Sequence, residues 1–488
     1  MSLSSFVDEV LKLAEVKTEL QPHQQRVVDK IRHQPGLVVA HELGSGKTLT
    51  AIAAHDALGL PATVVAPAAL LGNYKKEVAK HVEGNSPDTK FHSMQMAALR
   101  NEVPQSRMLI VDEAHRLRNI GSKVTHTMGE AAAAADKRLF LTGTPFYNHP
   151  SDIAPLINMA SGESLLPEGP TSFSKRYIRD VATNPTFWGS LKGQTPGVTQ
   201  ELNPLKAKEL RKILSEWVDY HPGAQEDYPS VTTQDLKVPM SEKQLKVYDT
   251  VLGKAPPWVA AKIRSGLPPS KQEAQQLNAF LSGIRQVATS TKAHQPDEEF
   301  DGPKVHMAVK ELKKHLDENP RAKAVVYSNY LSAGILPYKE LLEKNKIPYG
   351  AFTGEQKSKD REELIKQYND DKLRVLILSS AGGEGLDLKG TRLMQVLEPH
   401  WNDEKIRQVI GRGARYMSHS HLPQEERNMH VQRFLSTRPA STLLERWGVQ
   451  EPGHSVDEYL TRMSANKDYL MKQFKGLLPR EPAKEQAK

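Results

Sequence analysis

The 488-residue chain has no cysteine, which excludes disulfides, thiolate zinc sites and cysteine nucleophiles and leaves packing as the source of stability. No apolar run reaches the roughly 18 residues that a membrane-spanning helix needs, so a membrane protein is not expected. The first residues, MSLSSFVDEVLKLAEVKTEL, lack the basic start and unbroken apolar stretch of a secretory signal. The expectation is an intracellular protein, in a host or bacterial cell or carried in a virion. No solenoid-type repeat is visible. Aromatic residues contribute 6%, hydrophobic residues 38% and charged residues 25%, the composition of an ordinary globular protein. The length exceeds one ordinary core of roughly 100 to 200 residues, so two or three domains are expected. Sixty-six Lys and Arg against 58 Asp and Glu give a net charge of +8, which suits a polyanionic partner without demanding one.

The first third alternates short β-rich runs with helical stretches, the pattern of a parallel sheet covered on both faces. The runs are GLVVA (36–40), ATVVAP (62–67), RMLIVDEAH (107–115) and KRLFLTGTP (137–145). From about 150 to 300 such runs disappear and SDIAPLINMA, LKAKELRKILSEWVDY and SEKQLKVYDTVLG show helical spacing. The strand pattern resumes with AKAVVYSNY (322–330), PYGAFTG (348–354), RVLILSS (374–380) and RLMQVLE (392–398). Ser455 and Glu458 form an S-x-x-E capping box ahead of a last helix, and PREPAKEQAK is a polar tail. The fold class is α/β, two lobes with parallel sheets plus a helical insertion. The expected divisions are a helix over 1–17, a first lobe over 18–222 with a helical extension from about 150, and a helical insertion over 223–300. A second lobe over 301–465 and a helix end with tail over 466–488 follow.

HELGSGKT (41–48) lies between a strand and a helix, the setting of a phosphate-binding loop. Gly44 and Gly46 let the backbone curl so that N–H groups, including that of Ser45, face a phosphate. Lys47 reaches the β and γ phosphates of ATP and Thr48 ligates Mg²⁺ in this reading. His41 stands where the general pattern has its first glycine, and by itself GSGKT could equally be a glycine-rich turn that caps a core helix. DEAH (112–115) ends a strand at the carboxyl edge of a parallel sheet, where such sheets bind ligands. Asp112 would hold Mg²⁺ and Glu113 would place and deprotonate the attacking water, or the pair could simply decorate a helix start.

LQPHQ (20–24), GSGKT, DEAH and TGTP (142–145) occur in the order and spacing of superfamily 2 helicases, and the chain resembles their Swi/Snf group of DNA translocases. The resemblance implies two RecA-like lobes and an adenine-reading glutamine at Gln24. VVAPAALLGNYKKEV (64–78) resembles a motif that touches the nucleic-acid backbone, which makes Asn73 and Lys76 candidates. Thr142 and Thr144 stand where the family couples hydrolysis to movement, or are plain turn residues. In SSAGGEGLDLKGTRLMQVLEPHWNDEKIRQVIGRGAR (379–415), Gly382, Gly383, Gly385 and Asp387 match a phosphate-facing glycine motif. Gln408, Arg412 and Arg415 match residues that approach ATP in the family. The following RYMSHSHLPQEERN (415–428) departs from chromatin remodellers and, with EGLDLKG and LEPHW, is similar to the large-DNA-virus and phage branch that includes poxvirus nucleoside triphosphatase I. His400, His419, His421 and His430 lack convergent metal-ligand spacing and read as solvated or capping residues.

The expected activity is a nucleic-acid-dependent ATPase that translocates on duplex DNA regardless of sequence. A strand-separating helicase and a transcription-associated ATPase that acts on RNA polymerase, with viral or phage replication or transcription proteins as partners, are the alternatives.

Overall fold

The computed structural model describes residues 15–16, 18–42, 45–83, 88–186, 190, 194–223, 228–353, 358–379, 388–400, 404–414, 418–440, 442–449 and 452–479. The chain divides into two compact units. One comprises residues 1–179, 201–225 and 469–488, the other residues 180–200 and 226–468.

The first unit holds helices α1 (Pro22–His33), α2 (Lys47–Leu58) and α3 (Ala68–His81). Its main sheet is built from β1 (Gly36–His41), β2 (Ala62–Ala66), β3 (Thr89–Ser93), β4 (Met108–Val111), β5 (Lys137–Thr142) and β6 (Val218–His221). The strand order is β6-β1-β5-β4-β2-β3, with every pairing parallel. β1, β2 and β4 are buried at every position, because helices cover both faces and continuous Val, Leu and Ala runs suit such strands. α2 follows β1 in the chain. It ends at Gly59, whose φ of +62° lets its N–H reach the carbonyls of His55 and Asp56.

The second unit repeats the plan. Its sheet comprises β7 (Ser230–Pro239), β8 (Lys323–Ser328), β9 (Gly350–Phe352), β10 (Val375–Ser379), β11 (Thr391–Val396) and β12 (Asn428–Thr437). The order is β7-β12-β11-β8-β10-β9, again all parallel. α4 (Glu404–Gly413) follows β11, and α5 (Val456–Lys475) ends the described chain's regular structure. A helical block over Glu242–Thr289 packs Tyr248, Ile263, Leu281 and Ile284 with Val456 and Tyr459 of α5. Lys262, 2% exposed, is caged there. Its ammonium donates to the carbonyls of Thr195, Pro196 and Pro268 at 2.8 to 3.1 Å and lies 3.4 Å from Glu273.

The α/β class with two parallel sheets is as expected, but the region from 150 to 300 is not free of strands. It contains β6, β7 and a two-stranded sheet of Ile178–Thr183 with Gly197–Leu202. β7 is exposed along its first six residues and owes its existence to ten-residue pairing with β12, so no apolar alternation announces it. In LKAKELRKILSEWVDY the helix stops at Trp217 and Val218 begins β6. Of the expected N-terminal helix, residues 1–14 lie outside the described residues, and Glu15–Val16 pair antiparallel with Val82–Glu83.

Candidate nucleotide site

Most of the described residues singled out in the first unit, Asn73 and Lys76 excepted, come together near the carboxyl ends of its strands. β1 ends at His41, and the loop enters α2 through Gly46, whose φ is +72°. A side chain at Gly46 would bring its Cβ within 2.5 Å of Gln24 Nε2, so only glycine admits both this backbone and this neighbour. Gln24, buried in the first turn of α1, donates to the carbonyls of Ser45 and Gly46 at 3.4 and 3.3 Å, while its oxygen accepts from Gln21 N. The sequence-expected glutamine and phosphate loop are therefore in direct contact.

Lys47 turns its ammonium back onto the loop and donates to the carbonyls of His41 at 2.9 Å and Glu42 at 3.4 Å. Burial lowers its pKa, opposed by the charges of Glu113, Asp112 and Glu42. Thr48, half-buried, occupies the first turn of α2, and Ser45 Oγ donates to Glu42 O at 2.6 Å. Gly44 lies outside the described residues.

Asp112 follows β4. Burial, then the adjacent Glu113, pushes its carboxyl up to about 6, although Glu113 N donates to Asp112 Oδ1 at 2.9 Å and Lys47 acts in the opposite sense. A buried carboxylate held this far above its usual range is short of positive charge, the condition that a divalent cation relieves. With Thr48 at the start of α2 and the Lys47 ammonium in the loop, the donor set fits a magnesium-bound polyphosphate. Glu113 is held at φ +53° between β4 and the short 3₁₀ turn that follows, a left-handed conformation costing about 1 kcal/mol or more for a residue with a Cβ.

His115 joins two of the sequence motifs. Its Nδ1 lies 3.2 Å from Glu113 Oε2 and 3.3 Å from Thr142 Oγ1, and Thr142 Oγ1 in turn accepts from Thr144 N at 3.0 Å. The ring stacks on Tyr147, and the Arg118 guanidinium sits over the Tyr147 ring, 4.2 Å from its centre. Asn73 and Lys76 are exposed on α3 and take no part in this cluster. His115, Tyr147 and Arg118 received no role from sequence reasoning; the signal available was the fourth letter of DEAH.

Of the second-unit candidates, Gln408 and Arg412 lie on α4, with their side chains outside the description. Gly382, Gly383, Gly385, Asp387 and Arg415 lie outside the described residues. Two of the late histidines make hydrogen bonds to nearby residues. His419 contacts Thr391 O and Ser418 Oγ, each at 2.8 Å, and His430 contacts Thr232 Oγ1 at 2.9 Å. Among the described residues no group of His, Asp or Glu could hold a metal by itself, and no helix is long and apolar enough to cross a membrane.

Residues 89–293 match the SNF2-related domain and residues 307–417 the helicase conserved C-terminal domain. A protein of Acanthamoeba polyphaga mimivirus, provisionally named ATP-dependent RNA helicase L538, is 29% identical over 94% of this chain and 96% of its own length. An African swine fever virus protein, termination factor NPH-I homolog, is 24% identical over 91% of this chain and 75% of its own length. Among solved structures, the Sulfolobus solfataricus SWI2/SNF2 ATPase core in complex with dsDNA is 16% identical over 97% of this chain and 99% of that chain, with a TM-score of 0.35.

Proposed function

Because the chain is an SNF2-family, nucleic-acid-dependent ATPase with viral helicase relatives, we propose that it is a motor that spends ATP to move along duplex DNA without reading its sequence. The observation that carries this reading is the connection made by His115 between the acid that would handle water, Glu113, and the threonines of TGTP. An ATPase that only turned over nucleotide would have no use for such a link, whereas a motor must convert the state of the phosphate into movement.

In this reading Gln24 contacts adenine, and Gly44, Ser45, Gly46 and Lys47 hold the phosphates. Thr48 and Asp112 would hold Mg²⁺, which neutralises charge on the transferring phosphoryl group when bound. Glu113 orients the attacking water and takes its proton. Thr142 and Thr144 couple hydrolysis to movement, and Asn73 and Lys76 contact the nucleic-acid backbone. Gly382, Gly383, Gly385 and Asp387 serve the same purpose in the second lobe, where Gln408, Arg412 and Arg415 act on the nucleotide. Residues 18–222 and 301–465 are the proposed motor lobes.

The decisive measurement is the ATPase rate of the full chain with duplex DNA, single-stranded DNA and RNA of equal length. Duplex DNA should stimulate most. Greater stimulation by single strands, together with unwinding of a forked duplex, would replace the translocase with a helicase. The similarity to a viral termination factor favours a second reading, an ATPase that acts on a transcribing polymerase. Recovery of polymerase subunits in a pulldown, with little stimulation by nucleic acid, would establish that one.

A further inference from the structure

A buried polar cluster beneath the phosphate loop is left unexplained by the nucleotide-handling residues. Asp219 and His221 are two apart on β6 and so share a face of the strand. The Asp219 side chain is 1% exposed. It accepts from His41 Nε2 at 2.8 Å and from Arg26 Nε and Nη2 at 2.7 and 2.8 Å, and it lies 3.0 Å from Lys30 Nζ. His221 stacks on His23 at 3.8 Å with rings parallel to within 1°, and both rings meet His41 at 67°.

These contacts reach the nucleotide residues directly. His23 Nε2 donates to Ser45 O at 2.8 Å, and the His41 carbonyl accepts from Lys47. Glu42 N donates to His221 O at 2.9 Å, and the Glu42 carboxylate is held by Tyr220 OH at 3.1 Å and Lys475 Nζ at 2.6 Å. One four-residue strand thus grips the phosphate loop at His41 and Glu42, and the helix that carries Gln24 at His23, Arg26 and Lys30. The cluster also accounts for the histidine that replaces the usual first glycine of the loop: its ring is fully buried and its Nε2 bonds Asp219.

We infer that Asp219 and His221 are positioning residues for ATP use, which fix the phosphate loop and the Gln24 helix relative to each other so that Lys47 and Gln24 meet the same nucleotide. The inference rests on the nucleotide-site reading given above. A glycine-rich loop has few side chains with which to anchor itself, so its placement must come from neighbours. Displacing such a loop by roughly 1 Å can cost on the order of 100-fold.

The test uses the full chain with Asp219→Ala, Asp219→Asn and His221→Ala, measuring KM for ATP, kcat at saturating nucleic acid, affinity for a fluorescent ATP analogue, and melting temperature. Asp219→Ala and His221→Ala should raise KM on the order of 10- to 100-fold, with kcat at saturating ATP reduced less than about 3-fold. Asp219→Asn, which keeps an oxygen for His41, should recover part of the affinity. A merely structural role would instead lower the melting temperature and the active fraction with KM unmoved, and that result overturns the inference. Should Asp219→Ala fail to fold, His221→Ala carries the same expectation and Asp219→Asn a smaller rise in KM. Lys47→Ala separates the two layers of argument. If Lys47→Ala is inactive while folded Asp219→Asn and His221→Ala bind ATP like wild type, positioning alone is refuted; if Lys47→Ala also turns over ATP normally, the nucleotide-site reading itself falls.

Discussion

Burial holds His115 neutral: desolvation, followed by the charges of Arg118, Arg116 and Lys47, lowers its pKa from 6.5 to about 4. The unfolded chain therefore binds a proton that the folded one refuses between these values. The stability so contributed is complete above pH 6.5 and is lost as pH falls toward 4, an effect on the order of 3 kcal/mol. His115→Gln should reduce the difference in unfolding free energy between about pH 7.5 and about pH 5. Denaturant titration measures it, and an undiminished difference in the variant would contradict the assignment. His41 and His55 are lowered in the same direction by burial, so part of the acid sensitivity should persist. The roles proposed for two further residues are separable. Lys47→Ala removes the fixed charge at the phosphates and should abolish turnover and weaken ATP binding, whereas Glu113→Gln should bind ATP but stall hydrolysis, because an amide cannot take the proton from water. Equal loss of affinity in both variants, read from equilibrium nucleotide binding, would merge roles that are distinct here.

At the scale of elements, the start of α5 is the place where a sequence signal and its geometry coincide. Glu458 N donates to Ser455 Oγ at 3.2 Å and Ser455 N donates to Glu458 Oε2 at 3.1 Å, the reciprocal pair of a capping box. Ser455 is fully buried and its hydroxyl also reaches Ser436 O of β12. Ser455→Ala should thus destabilise the chain by about 1 to 2 kcal/mol, with thermal unfolding as the readout and no change in KM for ATP; a neutral effect would show the cap to be dispensable. Elements of this kind were legible because their signals are local. β1, β2, β4, β5, β8, β10 and β11 fall on continuous apolar runs, and α2 begins and ends where its glycines place it. β6 and β12 were not legible. β6 buries Asp219 and β12 buries Gln432 and Ser436, so polar residues sit where hydrophobic periodicity would be sought, and their partners come from distant segments: His41 lies 178 residues from Asp219, and Gln395 lies 37 from Gln432. The same property hid Asp219 and His221, inferred above to position the proposed phosphate loop. Their function depends on pairings that only the folded sheet creates, whereas GSGKT and DEAH advertise their chemistry within a few letters.

For the whole molecule, the excess of eight positive charges and the two parallel-sheet units bear on how a polyanion would be held. A motor that moves along DNA cannot depend on base identity, because each step would meet a different sequence; its grip has to be on phosphates. Such a grip releases condensed counterions, and the logarithm of affinity falls with that of salt at a slope of about 0.9 per phosphate neutralised on duplex DNA. Duplex stimulation of the ATPase should consequently be similar for random and repetitive sequences, and half-maximal stimulation should require steeply more DNA as salt rises from about 50 to about 200 mM. A duplex carrying a triplex-forming third strand supplies the directional readout. That strand lies in the major groove and can be pushed off by a motor tracking the backbone, so ATP should drive its displacement while a forked duplex under the same conditions stays paired. Displacement that depends on sequence, or that is insensitive to salt, would mean that the contacts are to bases and the translocase reading is wrong. Paired strands that separate before the third strand leaves would mean that the chain drives a wedge between them, and the motor is then a helicase.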